Sequence, residues 1–221
     1  MHPYIQPLAE ELKESADAER AVGAKAYMKN QFEYFGMPMA ERRSICKHHM
    51  KQHAVNDAKE LEIIVKELWA LPEREFQYCG IELMAYYKKL WSSSIIKLFE
   101  FCVTNKSWWD TVDFINSECC GKYFQLFPLK IIAVTHKWNQ SSNMWLQRSS
   151  LLFQNKYKKQ TDTELLSIYI QHLSSSKEFF VQKAIGWVLR EYAKSNPQWV
   201  IDFVNNNTLP SLSKREAMKH L

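Results

Sequence analysis

Two residues in the stretch NKSWWDTVDFIN (Asn105–Asn116) have the types and the spacing to do chemistry. Trp109 stands four positions before Asp113, so on an α-helix the two lie about 40° apart in azimuth and share a face. The two are expected to look outward together. Ser107 and Asp110 read differently. Their spacing is that of a capping box, with Ser at the N-cap and the acid at N3, close to the positive end of the helix dipole. Trp108, the first helical residue on this reading, lies about 140° from Asp113 and is expected to pack into the helical layer.

Cations recur at related positions further along the chain. Stepping 35 residues from Tyr78 reaches Asp113, then Arg148, then Lys183. Lys183, Trp187 and Arg190 follow at helical spacing, so one face carries cation, aromatic and cation. Arg148 opens a face that continues through Leu152 to Asn155 and Lys156. A plainer reading exists for each: Trp187 as core, and Arg148 as the ion-pair partner of Asp113 on a neighbouring helix.

The elements that must hold these residues are visible as a repeat. EREFQYCGIELMAYYKK (Glu73–Lys89), NMWLQRSSLLFQNKYKK (Asn143–Lys159) and EFFVQKAIGWVLREYAK (Glu178–Lys194) align without gaps, at offsets of 70 and then 35 residues. Gln77, Gln147 and Gln182 coincide, as do Tyr87, Tyr157 and Tyr192. A period of this length built from helix pairs predicts a stacked α-solenoid, in which equivalent positions of successive second helices form a column on the inner surface. N-terminal to Tyr78 the repeat fades to a weak continuation at Arg43. Capping boxes at Asp57/Glu60, Thr161/Glu164, Ser175/Glu178 and Ser213/Glu216, with Pro72 in a first turn, mark helix starts.

Composition agrees. Five glycines and seven prolines in 221 residues are too few for a β-protein of this size, and 46% hydrophobic residues can fill a continuous core, so the chain is expected to be all-α and a single domain over residues 1–221. No apolar run is long enough for a membrane span, and the N-terminal MHPYIQPLAEELKES lacks a basic-then-apolar signal pattern, which predicts a cytoplasmic protein without a membrane partner. The five cysteines, without CxxC spacing, read as buried thiols. His48, His49 and His53 lack a third ligand at fitting spacing and read as an exposed helix face; no metal and no cofactor is expected. Residues 1–110 carry 15 Lys and Arg against 16 Asp and Glu, whereas residues 111–221 carry 14 against 8. A basic C-terminal half suits a polyanion such as nucleic acid.

The combination of KSWWDTVDFI, MWLQRSSLLFQNKYK, SSKEFFVQKAIGWVLREYAK and LSKREAMKHL, with YMKNQFEYFGM and ERR before them, closely resembles the AlkD-type DNA alkylation repair proteins, HEAT-like-repeat DNA glycosylases. The resemblance covers nearly the whole chain. It implies a C-shaped stack of HEAT-like repeats with duplex DNA in a basic concave groove, acting as a monomer. It further implies excision of N3- and N7-alkylated purines, notably 3-methyladenine and 7-methylguanine, without flipping of the base. Asp113, Trp109 and Trp187 match the family's active-site trio, and Arg148 matches an arginine at the DNA backbone. Lys156, Lys183 and Arg190 join Arg148 as expected DNA contacts, and Tyr27 is the candidate contact from the N-terminal helices. One departure stands at Pro38, where the family would place a polar residue, often Gln, facing the DNA opposite the lesion; proline cannot donate that bond. Two rival readings are a non-catalytic HEAT-like protein that binds branched or damaged DNA, which would lack Trp109 or Asp113, and a peptide-binding solenoid, which would show no salt-sensitive DNA affinity.

Overall fold

The computed structural model describes residues 1–221 and is all-α, with an isolated bridge between Glu33 and Glu73 as its β-type pairing. The helices are α1 (Ile5–Glu14), α2 (Ala18–Tyr27), α3 (Met39–Gln52), α4 (Ala58–Ala70), α5 (Arg74–Tyr86), α6 (Ile96–Thr104) and α7 (Trp109–Ile115). A π-helical turn, Asn116–Cys120, joins α7 to α8 (Gly121–Leu126). There follow α9 (Ile131–Asn139), α10 (Met144–Leu152), α11 (Thr163–Leu173), α12 (Phe179–Ala193), α13 (Pro197–Asn206) and α14 (Ser211–Ala217). The chain forms two compact units, residues 1–98 and 99–221. No helix is long and apolar enough to cross a membrane.

The helical repeat is regular. Helices α3, α5, α7, α10 and α12 begin at Met39, Arg74, Trp109, Met144 and Phe179, one every 35 residues. The period therefore extends to α3, further than the fading sequence match suggests. Three of these helices, α5, α10 and α12, share a glutamine that bonds in the same way. Gln77 Nε2 donates to Leu71 O at 3.0 Å, Gln147 Nε2 to Ser141 O at 2.7 Å and Gln182 Nε2 to Ser176 O at 2.8 Å. Each amide thus reaches the carbonyl six residues back, in the turn that precedes its own helix. Turn carbonyls packed beneath a helix need a donor, and the side chain supplies it. Of the aligned tyrosines, Tyr87 and Tyr157 donate to His53 O and Gly121 O. Tyr192 departs from the pattern and packs edge-on against Trp199.

Several helix starts shift from their expected residues. Asp57 does cap α4, accepting from Lys59 N and Glu60 N at 2.8 Å, although Glu60 turns back to Asn56 N and not to Asp57. The cap of α11 is Asp162, one residue after Thr161, and it accepts from Leu165 N. Ser175 does not cap α12: Ser176 Oγ accepts from Glu178 N, and Glu178 is the flanking residue. Helix α14 starts after Pro210, while Ser213 is buried inside it with Oγ on Gln182 O. Pro72 lies before α5, outside its first turn. Short polar side chains near helix ends have several carbonyls and amides within reach, so the sequence pattern fixes an end only to within a residue or two.

Two expectations in the N-terminal unit are corrected. Cys46 on α3 and Cys79 on α5 are joined as a disulfide, and Cys102, Cys119 and Cys120 are buried outside it. His49 is not on an exposed face. It is buried, its Nε2 lies 2.8 Å from Tyr4 O, and its ring meets Tyr4 edge-on and His53 in a stack.

Two outcomes follow from this packing. A Cβ on Gly186 would stand 2.5 Å from Glu216 Cβ and 2.9 Å from Ser213 O, so Gly186→Ala should force α12 and α14 apart and destabilise by about 1–3 kcal/mol in a chemical-denaturation midpoint. Burial holds the His49 pKa below its ordinary 6.5, opposed by the bond to Tyr4 and reinforced by His53 and His48. The folded chain therefore takes up this proton less readily than the unfolded one. The stability it confers is present above about pH 6.5 and is lost as pH falls through the lowered folded value. The acid-induced drop in melting temperature should be smaller in His49→Gln.

Candidate functional site

Helix α7 starts one residue later than the capping box suggests. Ser107 does not cap it: Ser107 Oγ donates to Val103 O at 2.6 Å, closing the end of α6. Trp108 takes the N-cap position in an extended conformation (φ −154°, ψ 163°) and lends no side-chain cap, so Trp109 is the first helical residue. Asp110 remains in the first turn, where its charge suits the dipole. Trp108 packs as expected, its ring centroid 5.1 Å from Phe180 and 6.0 Å from Trp145. Trp145 and Phe180 lie 4.9 Å apart, so three rings from three repeats form one cluster. The Trp108 Nε1 is buried there without a hydrogen-bond partner.

On the next turn of α7, Asp113 meets Arg148 of α10. Arg148 Nε donates to Asp113 Oδ1 at 2.7 Å and Nη2 to Oδ2 at 2.8 Å. Arg148 Nη1 donates to Phe180 O at the start of α12. Its Cζ lies 5.8 Å from the centre of the Trp187 ring, so residues of α7, α10 and α12 converge on one guanidinium. Three of its five N–H groups are engaged, leaving one on each terminal nitrogen. Within the pair the acid is the more accessible partner, 17% exposed against 5%. Burial pushes the Asp113 carboxyl above the ordinary carboxylate range, the Arg148 charge and hydrogen bonds oppose this, and the Asp110 charge adds to it.

Asp113 and Arg148, one 35-residue step apart, are brought together with the Trp187 ring beside the guanidinium, whereas Lys183, the next step of the column, pairs with Glu216. Trp187 and Trp109 are both partly exposed, as Trp108 is, so burial alone does not separate the adjacent tryptophans. The ion-pair reading of Arg148, left open by the sequence, describes its position here.

The remaining expected cations are each tied to a carboxylate. Lys156 Nζ lies 3.0 Å from Glu118, which also takes Lys122 at 2.7 Å. Lys183 lies 3.0 Å and Arg190 2.7 Å from Glu216. Both acids sit below the ordinary Glu pKa: hydrogen bonds from Lys183 and Arg190 hold Glu216 down, and Lys122 and Lys156 overcome the burial that would raise Glu118. Sequence reading missed both. Glu216 had been given a capping role, and Glu118 could have been found from Lys122 four residues on. A cleft of about 180 Å³ beside Glu118 is lined in part by Asn116, Ser117, Lys122, Phe153, Lys156 and Tyr157. Asn116 gives its amide hydrogens to Val112 O and Ser149 Oγ, and its buried Oδ1 has no partner. In the N-terminal unit Tyr27 ends α2 and is 69% exposed, and Pro38 is the exposed residue flanking α3.

This architecture has relatives. A predicted DNA alkylation repair enzyme from Enterococcus faecalis superposes with a TM-score of 0.88 at 32% sequence identity, covering 94% of this chain and 97% of that one. Among curated proteins none matches. The family described as DNA alkylation repair enzyme matches residues 8–221, and the chain belongs to that family.

Proposed function

We propose that this chain is a DNA glycosylase that hydrolyses the N-glycosidic bond of cationic N3- and N7-alkylated purines, such as 3-methyladenine and 7-methylguanine, in duplex DNA. The observation that carries the reading is the Asp113–Arg148 pair. A carboxylate is held at both oxygens by an arginine one repeat away, with Trp187 beside it and its own edge the part that reaches solvent.

Alkylation at N3 or N7 places a positive charge on the purine and makes it a neutral leaving group, so departure needs no general acid. That contrasts with sugar hydrolases and their two carboxylates. The demand that remains is to stabilise an oxocarbenium-like deoxyribose and to bring water to C1′. Asp113 supplies negative charge for the first, and its free lone pairs can orient a water for the second. Trp109 and Trp187 offer ring faces to the cationic sugar, each worth ~0.5–2 kcal/mol when desolvated. Arg148 orients Asp113 and has two N–H groups left to offer the flanking backbone. Lys156, Lys183, Arg190 and, from the N-terminal unit, Tyr27 complete the DNA contacts. A bond already weakened by the charge on the purine is one that can be cleaved with the base still in the stack.

Incubating the protein with a duplex that carries one 7-methylguanine, and measuring free base, tests this. Wild type should release it, and Asp113→Asn should bind the duplex while losing turnover by about 10²–10³. Release no faster than the spontaneous rate from the wild type would sink the assignment.

The two adjacent tryptophans should separate. Trp108→Ala should lower stability by ~3 kcal/mol by opening the Trp145–Phe180 cluster. Trp108→Phe should cost far less, because it also removes the buried N–H that lacks a partner. Trp109→Phe should slow turnover with little change in melting temperature. The opposite pattern would exchange their roles.

A further inference from the structure

The cations of the C-terminal unit share an arrangement that goes beyond the Asp113 pair. Glu118 accepts from two lysines, Lys122 at 2.7 Å and Lys156 at 3.0 Å. Glu216 accepts from Lys183 at 3.0 Å and from Arg190 at 2.7 Å. In both sites the acid is better shielded than the cations it joins. Glu118 is 29% exposed against 42% and 62%, and Glu216 17% against 37% and 23%. In the N-terminal unit Glu82 also joins two cations, Arg42 at 3.0 Å and Arg43 at 3.2 Å, but through one oxygen and with Arg42 the better shielded partner.

Two anionic oxygens set between two N–H donors at these distances are what a backbone phosphate would present. The positions suit that reading. Lys183 and Arg190 flank Trp187 on α12, and Glu118, five residues after Asp113, pairs with Lys122 and Lys156, which both line the cleft.

We propose that Glu118 and Glu216 are resident phosphate surrogates. They occupy two phosphodiester sites, Lys122/Lys156 and Lys183/Arg190, when DNA is absent, and they hand those cations over when a duplex docks. The inference rests on the DNA-binding reading above and adds what governs selectivity. Partly exposed ion pairs hold weakly in water, so the exchange of carboxylate for phosphate is feasible at each site. The displaced carboxylate then faces a polyanion, which opposes binding wherever no further contact compensates. Undamaged duplex is thereby disfavoured, and the site's counterion release is muted because its cations start out neutralised.

The test measures binding of the full chain to a fluorescent undamaged duplex across a salt series. Glu118→Gln and Glu216→Gln keep the shape of the side chain, so the close approach of α14 to Gly186 is retained, and either variant alone is decisive. Glu164→Gln, an exposed acid on α11, changes net charge equally at a position between no cations and serves as the comparison. Each site variant should bind roughly three- to tenfold tighter at low salt, with a log–log slope steeper by ~0.9–1.8, one to two phosphates' worth, whereas Glu164→Gln should move neither much. Site variants that match Glu164→Gln in affinity and slope overturn the surrogate role and leave the DNA reading intact. Absence of salt-dependent binding in wild type and all variants overturns the DNA reading and the surrogate role with it.

Discussion

A charge taken out of water has to be met by another charge in good geometry, and the C-terminal unit is organised around one instance of that rule. Asp113 is largely shielded by the repeats around it. Burial raises its pKa, and the charge and two hydrogen bonds of Arg148 oppose that rise. Arg148 is positioned in turn by the Phe180 carbonyl and the Trp187 ring. The pair therefore has two roles. It joins the α7 repeat to the α10 repeat, and it fixes the orientation of the Asp113 carboxylate.

Further contacts tie the same helices together. Trp108, Trp145 and Phe180 interlock across the three repeats that supply Asp113, Arg148 and Trp187. Helices α12 and α14 approach at Gly186, and Glu216 meets Lys183 and Arg190. Polar and aromatic contacts between repeats thus sit on the same turns as the candidate chemistry, and a shift in one is transmitted to the other.

Much of this was readable in the sequence because a repeat converts distance along the chain into neighbourhood in space. The step from Asp113 to Arg148 gave the ion pair, although Lys183, one step further, pairs with Glu216. The recurring Gln77, Gln147 and Gln182 were visible as coincidences, and the structure supplies their reason: each ties a turn to the helix that follows it. Other features were hidden for physical reasons. Serine and threonine near helix ends can serve several backbone groups, so Ser107 closes α6 where the pattern had it opening α7. Ion-pair partners such as Glu118 with Lys156 and Glu216 with Arg190 depend on side-chain reach between helices, which periodicity does not encode. The burial of His49 likewise depends on where α1 lands, since its partner Tyr4 is 45 residues away.

The helices that carry Asp113, Arg148 and Trp187 start at a constant interval, whereas α4, α6, α9, α11 and α13 begin at the less even positions 58, 96, 131, 163 and 197. Length variation is thus absorbed within each interval before the next counted helix begins. Where relatives gain or lose a residue ahead of α9 or α11, a matching loss or gain should appear before α10 or α12. An uncompensated change inside a counted helix would rotate everything after it by about 100° and turn the acid or the arginine out of the column. Insertions and deletions in this family are therefore expected to come in balanced pairs, with the turns as the places where the chain corrects its own count.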